Sequence, residues 1–177
     1  SSAGKFQKEK KRDSRVIGAD PIGSGVKALK ETGKLEKGQI YKVEGIGQDK
    51  IPGATWLEYI DEFREVSDKD SFTMARRLAR EEALFVGGSS GTAVHVAIDL
   101  AREINDPKAM VIAILTDTGE RYLSKLHSDE WMRENRLLDE TPTDVRQLLH
   151  AKPATARPLV SVHSKMTVKQ ALDAMSR

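Results

Sequence analysis

The chain has 177 residues, with 29 basic against 27 acidic side chains and no cysteine. That length buries one good core and leaves room for the beginning of a second domain. Near-neutral charge argues against nucleic-acid binding driven by bulk charge, and the missing cysteines exclude disulfides and thiolate metal sites.

No apolar run approaches the ~20 residues that span a bilayer, and no signal peptide is visible, so no membrane partner and a cytoplasmic location are expected. The basic run Lys8-Glu9-Lys10-Lys11-Arg12 reads as the solvated face of a helix. The histidines at 95, 127, 150 and 163 have no paired metal spacing. Surface positions are expected for His95 and His127, and no metal site is assigned.

Residues 16–20, Val-Ile-Gly-Ala-Asp, read as a short buried strand stopped by Pro21. Residues 22–38 form a loop with a helical turn around Val26–Lys30, and Ile40–Val43 alternates as a strand would. Glu44-Gly45-Ile46-Gly47 is a glycine-bearing turn. Asp70 or Ser71 is expected to cap a helix running to about Ala83, with Phe72, Ala75, Leu78 and Ala79 on one face.

Leu84-Phe85-Val86 then enters Gly87-Gly88-Ser89-Ser90-Gly91, and a long amphipathic pattern runs from about Ser89 to Ile104. Glycines permit close backbone approach, serines cap, and free amides at a helix start favour an anion or an acceptor. A plain strand-to-helix turn with a serine cap explains the same residues. A Walker phosphate loop is excluded, because no Gly-Lys-Ser/Thr follows. Asn105-Asp106-Pro107 ends the helix, and Met110–Leu115 is an unbroken apolar run expected to be a strand covered on both faces. Asp117-Thr118-Gly119 follows, then a helix carrying Tyr122, Leu123 and Leu126.

Alternation of strands and helices predicts an α/β fold with a mostly parallel sheet and helices on both faces. Ligands in such sheets sit beyond the carboxyl ends of the strands, where both Gly87–Gly91 and Asp117–Gly119 fall. The texture changes at about Asp139. Thr143–Leu149 reads as a short helix, 139–158 as a proline-bearing linker, Leu159–Val162 as a strand, and Thr167 as the cap of a helix to Met175.

Four separated strings carry a family resemblance. They are Gly18-Ala19-Asp20-Pro21-Ile22-Gly23-Ser24, Val43-Glu44-Gly45-Ile46-Gly47 with Ile51-Pro52, Gly87–Gly91, and Asp117-Thr118-Gly119-Glu120-Arg121-Tyr122-Leu123. In this order and spacing they resemble the cystathionine β-synthase and cysteine synthase family of pyridoxal-phosphate enzymes. The resemblance covers roughly residues 14–138, and the Asp-Pro-x-Gly-Ser string resembles the cystathionine β-synthase branch.

The resemblance implies a tryptophan-synthase-β-like fold, incomplete here, with residues 1–138 as part of a catalytic domain. Residues 159–177 resemble the start of a small α+β regulatory domain of the kind that pairs into Bateman modules. It implies pyridoxal 5′-phosphate as cofactor, with Ser89 facing the pyridine nitrogen and Gly87 and Gly88 beside it. A serine hydroxyl gives the ring nitrogen a hydrogen bond without a formal charge, making the ring a milder electron sink than a carboxylate partner would. The resemblance places the cofactor phosphate elsewhere and overrides the anion-cradle reading of Gly87–Gly91.

Gly45, Ile46, Gly47 and Gln48 are implied at the substrate entrance. No segment matches the family's Schiff-base lysine, its asparagine contact to the ring oxygen, or its phosphate loop. No catalytic residue is therefore assigned, and inactivity of the chain alone is expected. The implied reaction condenses L-serine with L-homocysteine to cystathionine, in a homo-oligomer of two or four copies, with S-adenosylmethionine at the regulatory module. The alternatives are a cysteine synthase using O-acetylserine and sulfide, and a non-catalytic scaffold that senses an adenosyl ligand.

Overall fold

The structure is a computed structural model that describes residues 2–10, 13–35, 38–48, 50–138 and 163–175. The chain divides between residues 139 and 140 into two compact units, each treated by itself below. The first holds α1 (Ser2–Lys10), β1 (Ile17–Pro21), α2 (Val26–Thr32), β2 (Glu62–Val66), α3 (Asp68–Glu81), α4 (Gly88–Ile104) and α5 (Asp129–Glu134). Single 3-10 turns lie at Leu57–Tyr59 and Gly119–Tyr122.

Strand β1 lies where the sequence predicts it, one residue later, and pairs in parallel with β2 from Ile17↔Glu62 to Pro21↔Val66. β2 has no sequence forecast, because Glu62-Phe63-Arg64-Glu65-Val66 is dominated by charge. Each of those charges has a partner. Glu62 takes both Arg15 and Arg64, Arg64 reaches Glu103 at 2.7 Å, and Glu65 takes Lys27 at 2.9 Å. Neutralised in this way, the strand packs against α2 and α4.

Four expectations are corrected. Ile40–Val43 is not a strand. The amides of Lys42 and Val43 donate instead to the Asp68 carboxylate at 2.8–3.0 Å, and Ile40 stands in solvent. Met110–Leu115 has no regular secondary structure and pairs with no described strand, with Met110 85 %, Ile112 74 % and Ile114 61 % exposed. Its apolar character is that of a covered strand, but neither β1 nor β2 pairs with it.

The helix expected after Gly119 is one 3-10 turn followed by turns, since Lys125 and His127 both return their amides to Tyr122. α3 starts at Asp68, because the Ser67 hydroxyl accepts from the Asp70 amide at 3.1 Å and so takes the cap. Asp68 and Asp70 in its first turn and Arg80 in its last complement the helix dipole.

The core joins Phe72, Met74, Ala75 and Leu78 of α3 to Val43, Val86, Leu126, Met132 and Leu137. Burial of each large side chain there is worth about 1.5–3 kcal/mol, and Phe72 meets Trp131 edge-on at 5.7 Å. α3 and α4 form the main helix contact. They approach so closely at Gly91 that a Cβ there would strike the Ser71 carbonyl and come within 3.1 Å of Ala75 Cβ. Beside it the Thr92 hydroxyl lies 2.8 Å from Ser71 Oγ. Asn105, left-handed at φ 45°, closes α4 where the sequence ends it.

In the second unit α6 (Val168–Met175) opens on a reciprocal cap. Thr167 Oγ1 accepts from the Gln170 amide at 3.3 Å, and Gln170 Oε1 accepts from the Thr167 amide at 3.0 Å. The expected helix 143–149, strand 159–162 and the whole of the expected linker 139–158 lie outside the described residues.

Candidate cofactor and substrate site

Gly87 is the N-cap of α4, and Gly88 and Ser89 are its first two residues, all buried. The approach to the helix is held by the returning chain at Thr116–Gly119. Val86 and Thr118 form an antiparallel bridge, Gly119 donates to the Phe85 carbonyl at 3.0 Å, and Gly87 donates to the Asp117 carbonyl at 3.4 Å. Gly87 leaves room for its neighbours: a Cβ there would run into the Asp117 carboxylate and lie 2.6 Å from the Tyr122 ring, displacing both side chains.

Two hydroxyls meet at the start of the helix, Ser89 Oγ and Thr116 Oγ1, 3.2 Å apart. The Ser90 hydroxyl accepts from the Thr116 amide at 3.2 Å and fixes that residue in place. A pair of hydroxyls uses one hydrogen between them, so the second remains available to an outside acceptor. An acceptor nitrogen such as that of a pyridine ring fits this donor set. The residues present therefore suit the ring-nitrogen end of pyridoxal phosphate.

Beside them the Tyr122 hydroxyl donates to Asp117 Oδ2 at 2.6 Å. That bond pushes the phenol pKa up to about 12. Asp117 Oδ1 is buried without a donor. A small cleft between Gly88 and Tyr122 is walled on the other side by Lys42 and Glu44, and the Glu44–Lys125 ion pair lies at it. The glycine turn at 44–47 thus begins at the cleft that Gly88 lines, although Ser89 and Gly45–Gln48 do not themselves line it.

Gly45 is exposed with φ 83° and open space around it. Ile46 packs on the core, and Gln48 is exposed. Gly47, at φ 75°, sits on the first string: a Cβ there would come within 2.7 Å of Pro21 and 2.5 Å of the Tyr41 hydroxyl. The Gln48 amide donates to Ser24 Oγ at 3.4 Å. The Asp-Pro-x-Gly-Ser loop is therefore the seat of the Gly45–Gln48 turn.

His127, expected at the surface, is half-buried. Its Nε2 donates to the Val86 carbonyl at 3.0 Å and its ring lies 4.5 Å from that of Phe85, with burial holding the imidazole below its usual pKa. His95 does lie on the accessible side of α4, 3.4 Å from Asp99. No group of acidic or histidine side chains among the described residues is arranged to hold a metal.

Sequence reasoning passed over Thr116, Tyr122 and Ser24 as residues that shape the site, and reached Asp117 through its place beyond an apolar run. Tyr122 and Ser24 lie within the matching strings, which is the signal that marks them.

The family model described as "Pyridoxal-phosphate dependent enzyme" matches residues 2–117. The chain belongs to this pyridoxal-phosphate-dependent enzyme family. It is 35 % identical over 170 residues to the cystathionine beta-synthase of Mus musculus, covering 91 % of this chain and 30 % of that protein. The cystathionine beta-synthase of Oryctolagus cuniculus is 38 % identical over 142 residues, covering 79 % and 25 %. That of Saccharomyces cerevisiae is 36 % identical over 144 residues, covering 79 % and 28 %.

The crystal structure of an O-ureido-L-serine synthase superposes with a TM-score of 0.62 at 28 % identity, covering 75 % of this chain and 42 % of that one. The chain thus spans between a quarter and a third of these three curated relatives. Pyridoxal phosphate is the cofactor of the family, and the α/β architecture with a parallel strand pair is that of its fold. No helix among the described residues is long and apolar enough to cross a membrane.

Proposed function

We propose that this chain is part of a cystathionine β-synthase, in which the hydroxyl of L-serine leaves as water and the thiol of L-homocysteine takes its place. The observation that carries the reading is the meeting of separated strings in space. The Asp-Pro-x-Gly-Ser loop seats the Gly45–Gln48 turn, and Gly88 and Glu44 share one cleft. The alignment with cystathionine beta-synthases over 79–91 % of the chain supports the same reading.

When bound, pyridoxal phosphate supplies the electron sink for charge at an amino-acid α-carbon. In this reading Ser89 holds the ring nitrogen by a neutral hydroxyl, Thr116 and Ser90 keep that hydroxyl in place, and Gly87 and Gly88 let the backbone lie close. Gly45–Gln48 form the mouth through which the amino acids enter. Residues 159–177 begin a regulatory domain whose ligand is S-adenosylmethionine, the complete protein assembles as a dimer or tetramer in the cytoplasm, and the isolated chain is inactive.

The test is the complete protein, loaded with pyridoxal phosphate and given L-serine with L-homocysteine, read by mass spectrometry for cystathionine. Production of cysteine from O-acetylserine and sulfide instead would replace the reading with cysteine synthase. Absence of visible cofactor absorbance would replace it with a non-catalytic scaffold.

A further inference from the structure

His127 has no part in the reading above, yet its side chain lies where the two strips that build the start of α4 meet. Its Nε2 is 3.0 Å from the Val86 carbonyl oxygen. A carbonyl oxygen only accepts, so Nε2 carries the hydrogen. Burial, with the Arg76 cation beside the ring, holds the imidazole below its ordinary pKa. A neutral imidazole has a single N–H to give, and here Val86 receives it.

The same ring packs on the other strip. It lies 4.5 Å from the Phe85 ring, and Gly119 is fitted against both. A Cβ at Gly119 would come within 2.9 Å of His127 Nε2 and of two Phe85 ring carbons. Gly119 ends the returning strip 116–119, and its amide donates to the Phe85 carbonyl at 3.0 Å. His127 is therefore bonded to the strip 85–87 and set close against the strip 116–119. Its own amide is anchored on the Tyr122 carbonyl at 3.2 Å.

These two strips set the spacing of the Ser89 and Thr116 hydroxyls. Val86 and Thr118 are bridge partners; Ser89 follows the first by three residues, and Thr116 precedes the second by two. The hydroxyls stand 3.2 Å apart, already long for an O–H···O bond, so a small slip between the strips parts them. An apolar side chain at 127 would pack on Phe85 as well as the imidazole does. Only a donor also answers the carbonyl of buried Val86.

We infer that His127 is a positioning residue for the ring-nitrogen end of the cofactor. Through the Val86 carbonyl it holds 85–87 in register with 116–119 and keeps the Ser89 and Thr116 hydroxyls together, with no contact of its own to cofactor or substrate. The inference rests on the proposed placement of the ring nitrogen at Ser89.

The test uses the complete holoenzyme with three variants. His127→Leu keeps apolar bulk and loses the donor, His127→Asn carries a donor too short to reach, and His127→Gln places an amide nitrogen where the ring Nε2 stood. Per bound cofactor, His127→Leu and His127→Asn should each lower kcat at least fivefold, with KM for L-serine within twofold of the parent. Both should shift the bound-cofactor absorbance as Ser89→Ala does, and His127→Gln should restore kcat and absorbance. Adding His127→Leu to Ser89→Ala should lower kcat no further than Ser89→Ala does, as expected where one residue acts through the other. Unchanged kcat in His127→Leu or His127→Asn, no recovery in His127→Gln, or effects that multiply with Ser89→Ala would overturn the inference. Should His127→Leu not fold, the contrast of His127→Asn with His127→Gln decides alone.

Amide exchange at Gly87 and Gly119, whose amides bond across the two strips, reads the same hold without activity. His127→Leu and His127→Asn should speed it at least tenfold, and His127→Gln should not. If the parent makes no cystathionine yet exchange quickens in this pattern, the functional reading fails and the hold of His127 on the strips stands. If exchange is unchanged, the inference fails whatever the enzyme makes.

Discussion

Replacing Tyr122 by phenylalanine removes a single oxygen, and the structure gives the size of the effect. That oxygen donates to Asp117 Oδ2 at 2.6 Å, while Oδ1 has no donor, so Tyr122→Phe leaves a carboxylate against Gly87 with no side-chain donor. A charge-assisted bond of this kind contributes about 1.5–3 kcal/mol. The phenol's rise from 10.0 to about 12, caused first by the same bond, gives a figure of the same size. At roughly 1.4 kcal/mol per unit it corresponds to just under 3 kcal/mol, reduced by solvent because Tyr122 is only half-buried.

A loss of roughly 2 kcal/mol is therefore expected on urea unfolding at pH 8. The sign of the pH dependence follows from a pKa raised by folding. The phenol's contribution is fully present below the unfolded pKa near 10 and disappears as pH climbs through about 12. The gap between parent and Tyr122→Phe should accordingly close between pH 10 and pH 12. Equal stability at pH 8, or a gap that persists unchanged to pH 12, would refute the reasoning.

Gly91→Ala should destabilise the fold by about 1–3 kcal/mol in thermal unfolding, even though alanine is the better helix former by ~1 kcal/mol. Its Cβ would strike the Ser71 carbonyl, and backbone cannot step aside as a flexible side chain can. Ser67→Ala should cost about 1 kcal/mol and lower Tm by roughly 2–4 °C through loss of the α3 cap. In the complete enzyme Ser89→Ala should cut turnover with little change in unfolding, and Ser89→Asp should shift the cofactor absorbance by charging the ring nitrogen. Unchanged kinetics and spectra in both would remove Ser89 from the site. Ile112→Lys should reduce light scattering by the isolated chain, because the run 110–115 exposes apolar side chains that no described strand covers.

The parts of this fold that the sequence announces are those carried by local chemistry. β1, the end of α4 at Asn105 and the Thr167 cap follow from short patterns, and each lies within a residue of its forecast position. β2 was invisible because its burial depends on ion pairs with Arg15, Lys27 and Glu103, distant in sequence. Ile40–Val43 misled because alternation says nothing about an Asp68 carboxylate 25 residues away that satisfies the Val43 amide first. Met110–Leu115 shows the reverse: the pattern describes a covered strand, and strand pairing is a property of neighbours that periodicity does not contain.

At the site, the glycines and Ser89 could be picked out as turn chemistry. The hold of Ser24 on the Gln48 amide could not be picked out in the same way, because the two residues lie 24 apart in sequence.

The Asp68 clamp gives α3 two duties at once. Its first residue holds the Lys42–Val43 strip that leads into the proposed mouth, and three residues on, its Ser71 carbonyl sets how near α4 and its Gly87–Ser89 end can come. Both walls of the cleft therefore stand on one footing. A packed helix shifts as a unit, so a disturbance anywhere along α3 tilts the two walls together. A substitution in its hidden face would consequently present to an enzymologist as a fault in substrate handling and cofactor seating alike.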